Sequence, residues 1–195
     1  MLFIRPNSRQ IPSHSDYTSH PLYHDLIYGY LQSISLLDKD GNRYVKAGDA
    51  SRAKISSALG ISSPTVKKYF EGMQCMYLIG PKENGKYLLN FIAEEYGYLV
   101  PLNILERIIG LKKIRLLSMY IWFSMMSYDN STVYYSMNGV KKFVGLSTNT
   151  ADNGHLVKEG LDDLQSLGLL RHSEVTVMED GRYKTKKMVR DVKNE

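Results

Sequence analysis

Between Arg52 and Tyr69 the chain runs Arg-Ala-Lys-Ile-Ser-Ser-Ala-Leu-Gly-Ile-Ser-Ser-Pro-Thr-Val-Lys-Lys-Tyr, and no other stretch restricts the fold as strongly. Gly60 divides two segments of helical pattern. A glycine at this point lets the backbone pass through a tight turn without the penalty a Cβ would bring. Asp49 or Ser51 caps the first helix, which carries Ile55, Ala58 and Leu59 on one side. Ser62 or Ser63 caps the second, with Pro64 in its first turn, where a missing N–H costs nothing. Ala58 is small where the two helices cross, and Ile61 plugs the corner. Val66, Tyr69 and Phe70 are spaced to face a core. With Val66 inward, the helical period turns Ser63, Pro64, Thr65, Lys67 and Lys68 outward.

The surrounding pattern repeats itself. The stretch to His20, rich in Ser, Pro, Asn and His, reads as a flexible arm with a short strand candidate at Leu2–Ile4. Pro21 opens a helix whose apolar positions run from Leu22 to Ile34 and Leu37. A turn at 38–42 and a short strand at Tyr44–Val45 lead into the helix pair. Strands are expected at Met76–Ile79 and Lys86–Phe91, around a turn from Gly80 to Gly85. The second half has a short helix or turn at Leu102–Ile109, a long helix from about Lys112 to Ser127, and a strand at Thr132–Tyr135. Ser136 then caps a helix containing Val140, Phe143 and Val144. Gly145-Leu146-Ser147 matches Gly60-Ile61-Ser62, and a further helix carries Leu156, Leu161, Leu164 and Leu167. Glu179-Asp180-Gly181-Arg182-Tyr183 matches Asn84-Gly85-Lys86-Tyr87. Two matched landmarks in one order predict two tandem units of an α+β, mainly helical fold, at 21–96 and 97–195, joined near Glu94–Pro101.

The segment from Arg52 to Tyr69 resembles the bacterial helix-turn-helix family. The likeness rests on Ile55, Ala58-Leu59-Gly60-Ile61-Ser62 and Pro64-Thr65-Val66. The hairpin after it resembles the wing of winged-helix proteins, so the two units are read as tandem winged helices. The stretch Tyr98–Leu105 with the apolar helix after it resembles the first helices of winged-helix replication proteins of plasmids and phages. That resemblance implies a sequence-specific double-stranded DNA-binding protein of a mobile element, either a transcriptional regulator or a replication initiator. The family lays its second helix in the major groove. Carried over here, Ser63, Thr65 and Lys67 are candidates for base edges, while Arg52, Lys54 and Lys68 are candidates for phosphates. The N-terminus of the second helix, at Ser62, also suits a phosphate. Lys82 and Lys86 flank the tip of the first wing. They are either a backbone contact or the solvated lysines of an ordinary hairpin.

The second unit departs from the pattern. Thr148, Asn149 and Thr150 replace the compact Pro-Thr-Val, and the helix that follows bears Glu159, Asp162 and Asp163, which would meet phosphates unfavourably. Thr148, Asn149 and Thr150 remain candidates for DNA contact, as do Lys141 and Lys142; the basic run Arg182, Lys184, Lys186, Lys187 and Arg190 is either a phosphate-gripping wing or a solvated β-ribbon. The alternative is a protein-interaction module, favoured by the acidic helix and by Ile121-Trp122-Phe123. The apolar length of the helix at 112–127 suggests that it packs against the first unit or against another copy of the chain, a homodimer being favoured.

Charge agrees with a nucleic-acid partner without demanding one. The formal net charge is +5, with 11 Lys and Arg against 9 Asp and Glu before Gly97 and 14 against 11 from it on. The single cysteine, Cys75, permits no internal disulfide, which suits a cytoplasmic protein. It lies in an apolar run and is expected to be a buried small hydrophobe. The apolar start Met1–Ile4 is cut short by Arg5 and Pro6, so no secretory leader is read there. The longest apolar stretch, Leu116 to Met126, is shorter than the roughly 20 residues a bilayer needs. His20 and His24 lack a third ligand, so no metal or other cofactor is expected. No phosphate-binding glycine loop and no nucleophile–base set is present, so no catalytic residue is assigned.

Overall fold

Each helix pair is followed by a hairpin, and in each unit the hairpin's last strand returns to a strand that precedes the pair. The structure, a computed structural model, describes residues 8–12, 21–90, 97–113, 115–127, 132–149 and 153–193. It is a mixed α+β chain dividing into two compact units, 1–114 and 115–195.

Unit 1 opens with β1 (Ser8–Pro12) and α1 (Pro21–Ser33), then β2 (Leu36–Leu37) and β3 (Arg43–Lys46). The helix pair is α2 (Arg52–Leu59) and α3 (Ser63–Cys75), and the hairpin is β4 (Ile79–Glu83) with β5 (Lys86–Leu89). β6 (Gly97–Pro101) and α4 (Leu102–Gly110) complete the unit. The strands form an antiparallel sheet in the order β2-β3-β5-β4, and β1 pairs separately with β6, Ser8 opposite Pro101 and Pro12 opposite Gly97. The core joins α1 through Leu26, Ile27 and Leu31 to Ile55 and Leu59 of α2, Val66 and Met73 of α3, and Ile104, Leu105 and Ile108 of α4, all essentially inaccessible.

Unit 2 runs α5 (Leu116–Met126), β7 (Thr132–Tyr135), α6 (Met137–Phe143), α7 (Asn153–Ser166), β8 (Arg171–Glu179) and β9 (Arg182–Arg190). Its sheet order is β7-β9-β8, matching the β3-β5-β4 order of unit 1. Six of the seven residues from Leu116 to Trp122 are buried, and Phe123 as well. A helix apolar all round belongs inside a protein.

Several expectations are corrected here. Residues 8–12, expected in a flexible arm, form a paired strand; Leu2–Ile4 lies outside the described residues. The boundary expected at Gly97 falls at Ile114/Arg115, because β6 pairs with β1 and α4 packs on α1 and α2. α1 stops at Ser33, and Leu36–Leu37 pairs with Arg43–Tyr44, so the turn at 38–42 closes a hairpin instead of ending a helix. Asp38 holds that turn by accepting from the backbone N–H of Asp40 (2.9 Å) and Asn42 (2.8 Å).

The first hairpin is also shifted. α3 continues to Cys75, and Gly80-Pro81-Lys82-Glu83 belongs to β4, leaving only Asn84-Gly85 as the turn. Pro81 is tolerated because β4 is an edge strand with an irregular register between Ile79 and Lys82. Asn84 and Gly85 both take positive φ (48° and 74°), as do Asp180 and Gly181 (53° and 71°), the requirement of a tight two-residue hairpin. Cys75 is exposed, not buried. The buried face of α3 runs through Val66, Tyr69, Phe70 and Met73, and a residue two beyond Met73 points away from it.

Candidate nucleic-acid interface

The turn between α2 and α3 is built from short-range interactions. Gly60 has φ 67° and donates its N–H to Ser56 O at 2.9 Å. Ser56 Oγ reaches across the turn and donates to Ile61 O at 2.6 Å, while Ile61 is buried as the corner plug. Ser62, not Ser63, caps α3: its Oγ accepts from Thr65 N at 3.4 Å and lies 2.8 Å from Thr65 Oγ1. Ser51 precedes α2 but makes no side-chain cap bond, and Asp49 instead binds Lys54. Lys112 braces the turn from outside, its Nζ donating to Ser57 O at 3.0 Å and its side chain lying beside Gly60.

The first turns of α3 therefore present Ser62, Ser63, Pro64, Lys67 and Lys68 to solvent, with Thr65 half-buried and Val66 inaccessible. Lys67 is 3.9 Å from Glu71, a wholly exposed i,i+4 pair that holds little. Lys68 lies over the Tyr69 ring at 5.3 Å. Arg52 is exposed at the start of α2. Lys54 Nζ is 2.6 Å from Asp49 Oδ1; this bond holds the carboxyl below, and the ammonium above, their ordinary pKa ranges. Of the cations expected to meet phosphate, Lys54 is thus the one most engaged within the protein.

Lys82 is exposed on β4, and Lys86 stands at the start of β5 with its Nζ 4.2 Å from the centre of the Tyr44 ring. Lys46 is the direct cross-strand partner of Lys86. Neither Lys46 nor Lys112 was expected at this surface. Lys46 reaches it through β3–β5 pairing and Lys112 through tertiary packing, and neither leaves a local sequence signal.

Unit 2 repeats the frame with different contents. Ser136 caps α6 by accepting from Gly139 N at 3.0 Å, and Gly145 has φ 66° beside the buried Leu146. Exposed Thr148 and Asn149 lie in a bend and not in a helix, and α7 is described from Asn153 on; Thr150 lies outside the described residues. Asn149 N donates to Ser147 Oγ at 3.3 Å and Asn153 Nδ2 to Ser147 O at 3.0 Å.

Lys142 is exposed, but Lys141 is buried (5% accessible) beside Val140 and is removed from the expected contact set. A short helix with core on two sides leaves a lysine next to the apolar row little room to reach solvent. Along the ribbon, Glu179 binds Lys186 (2.8 Å) and Lys184 (3.2 Å), and Glu174 binds Lys187. Arg182, at the Asp180–Gly181 turn, and Arg190, at the far end of β9, are exposed without an ion pair among the described residues. Met178 and Tyr183, cross-strand partners beside the turn, are both largely exposed.

His24 is buried edge-on to Tyr69 at 4.8 Å, and His20 lies outside the described residues. Among the described residues no helix is long and apolar enough to cross a membrane. No protein family and no curated protein matches this chain.

Proposed function

We propose that the chain is a sequence-specific double-stranded DNA-binding protein built from two tandem winged-helix units, with α3 as its principal reading helix. The observation that carries this reading is the first turn of α3. It is capped by Ser62, set by the left-handed Gly60, and presents Ser63, Lys67 and Lys68 in one exposed arc. A helix end of this kind brings backbone N–H groups and the positive end of the helix dipole to a phosphate. Side chains on the outward arc then reach base edges in the major groove. Lys82 and Lys86 of the β4–β5 hairpin, together with Lys46 on the neighbouring β3, supply contacts to the DNA backbone beside it. Regulation of transcription and initiation of replication at a mobile element are both roles for such a protein. Sites bound in the native genome distinguish them, a promoter operator from an array of origin repeats.

A protein-contact role for unit 2 is favoured by two observations: α7 exposes Glu159 and Asp162, and the basic ribbon is largely neutralised by its own carboxylates. The homodimer reading has less to rest on, because Leu116–Ile121 and Phe123 of α5 are buried within a single chain, although Met125 and Met126 of the same helix are exposed. Stoichiometry on a duplex decides between one chain using two units and two chains.

The test is titration of duplex DNA across a salt series. Affinity should fall with a log–log slope of about −0.9 per phosphate neutralised. Lys68→Ala should weaken all sequences alike and reduce the slope by about one. Lys67→Ala should remove about 1–3 kcal/mol of discrimination at one base pair. Wild-type binding by a variant carrying both Lys67→Ala and Lys68→Ala would place the reading head elsewhere.

A further inference from the structure

At the end of unit 2 remote from the Asp180–Gly181 turn is a cavity of about 580 Å³ whose lining includes Gln165, Arg171, His172, Arg190, Asp191 and Lys193. The ribbon pairing here breaks the rule it follows elsewhere. Glu174 faces Lys187 and Glu179 faces Arg182, but Arg171 faces Arg190 directly. Like charges directly opposite on an antiparallel pair are destabilising, so this pair weakens the ribbon unless something negative lies between the two side chains.

A third cation is held at the same rim by the backbone. After β9 the chain turns at Asp191 (φ 54°). Lys193 N donates to Leu169 O at 2.8 Å, and Lys193 O accepts from the hydroxyl of buried Tyr120 at 2.7 Å. Against these three cations the lining sets, among the described residues, one carboxylate, Asp191, whose Oδ2 is 3.6 Å from Arg171 Nε. Asp162 is engaged by His172 at 2.8 Å. The carbonyls of Leu164 and Gln165 at the end of α7 are taken by the N–H groups of Leu169 (2.9 Å) and Gly168 (2.8 Å), so they do not compensate the arginines.

We propose that this cavity binds a small molecule carrying a phosphate monoester, with Arg171 and Arg190 gripping the phosphate and Lys193 closing on it. A phosphate monoester carries about −1.5 to −2 charge at neutral pH, which balances the local excess of about two positive charges. Its oxygens match paired guanidinium forks. The cavity lies within the range of small-ligand pockets, roughly 300–1,000 Å³, and is larger than phosphate alone requires. The site does not rest on the DNA reading. α7 has 14 residues, about 21 Å of helix, and the cavity adjoins its C-terminal end, whereas the DNA reading uses helix N-termini.

The test uses the full chain labelled for observation of arginine Nε–Hε resonances and titrated with inorganic phosphate at constant ionic strength against chloride. Saturable shifts of Arg171 and Arg190, with Arg182 at the far end unmoved, are expected. Arg171→Gln/Arg190→Gln should weaken calorimetric phosphate binding at least tenfold. In phosphate-free buffer the double variant should melt no lower than wild type, since a like-charge pair is removed. If it does not fold, Lys193→Gln replaces it, with a several-fold loss expected. Linear shifts common to all arginines, or unchanged affinity in the folded variant, overturn the proposal. So does a duplex lacking terminal phosphates that moves Arg171 and Arg190 when inorganic phosphate does not, which would make the cavity a seat for the DNA backbone.

Discussion

Gly60 adopts φ 67°, and a Cβ added there would come only within 3.7 Å of Lys112 Cβ, an ordinary contact. The requirement for glycine is therefore conformational rather than steric. Gly60→Ala should cost about 1–2 kcal/mol by forcing an L-residue into the left-handed region. Gly48→Ala, in open space and without a positive φ, should be nearly neutral; equal losses from chemical denaturation of the two variants would refute this account. Tyr28 is a different case. Burial pushes its pKa up to about 12, and its hydroxyl donates to Asn90 O at 2.9 Å. A folded-state pKa raised above the unfolded value contributes stability that is complete below pH 10 and is lost as pH rises from 10 towards 12. Tyr28→Phe should cost about 1 kcal/mol at neutral pH through the lost hydrogen bond. It should also remove a large part of the alkaline loss, on the order of 2–3 kcal/mol, read from urea midpoints across pH 8–12. Tyr135, also raised to about 12 by burial and by Glu174 and Asp162, leaves part of that loss in place.

The two hairpins share a turn but differ in charge logic. β4–β5 leaves Lys82 exposed and stacks Lys86 on Tyr44, whereas β8–β9 turns Lys184 and Lys186 back onto Glu179. Those pairs are exposed, so they add little to stability, but they withhold two cations from any external anion. Glu179→Gln should leave the melting temperature nearly unchanged. If the second ribbon lies against DNA, it should raise duplex affinity several-fold and steepen the salt dependence. An unchanged salt slope would take the ribbon off the DNA and favour the protein-contact reading of unit 2. At the helix level the glycine turn and serine cap were legible from local spacing. The end of α3 was not. Met73 to Ile79 is apolar enough to suggest a strand, yet helix continues to Cys75, and Tyr77 takes φ 57° as N–H groups from Tyr77 and Leu78 close on Gln74 O and Met73 O. A glycine would have announced that cap; a tyrosine does not.

At the scale of the chain, the boundary decides which pieces can fold. Cutting after residue 96 removes β6, the partner of β1, and takes Val100, Ile104, Leu105 and Ile108 out of unit 1, each at most 1% accessible. At roughly 1.5–3 kcal/mol per buried aliphatic side chain, that loss rivals the whole stability of a small domain, about 5–15 kcal/mol. The fragment 1–114 should therefore melt cooperatively while 1–96 should not. Calorimetry of the two fragments checks this, and a cooperative 1–96 would return the boundary to Gly97.

What the sequence determined by itself is what a few neighbouring residues can enforce. The left-handed turns at Gly60 and Gly145, the Ser62 and Ser136 caps, and the Asn84-Gly85 and Asp180-Gly181 reversals each follow from backbone sterics or a local hydrogen bond. Tertiary structure alone decided that Ser8–Pro12 pairs with Gly97–Pro101, that α4 belongs to unit 1, that Lys141 is buried while Cys75 is exposed, and that Arg171 faces Arg190. Strand pairing joins residues far apart in the chain, and burial depends on which face another element covers. Neither leaves a periodic trace within a single window of sequence.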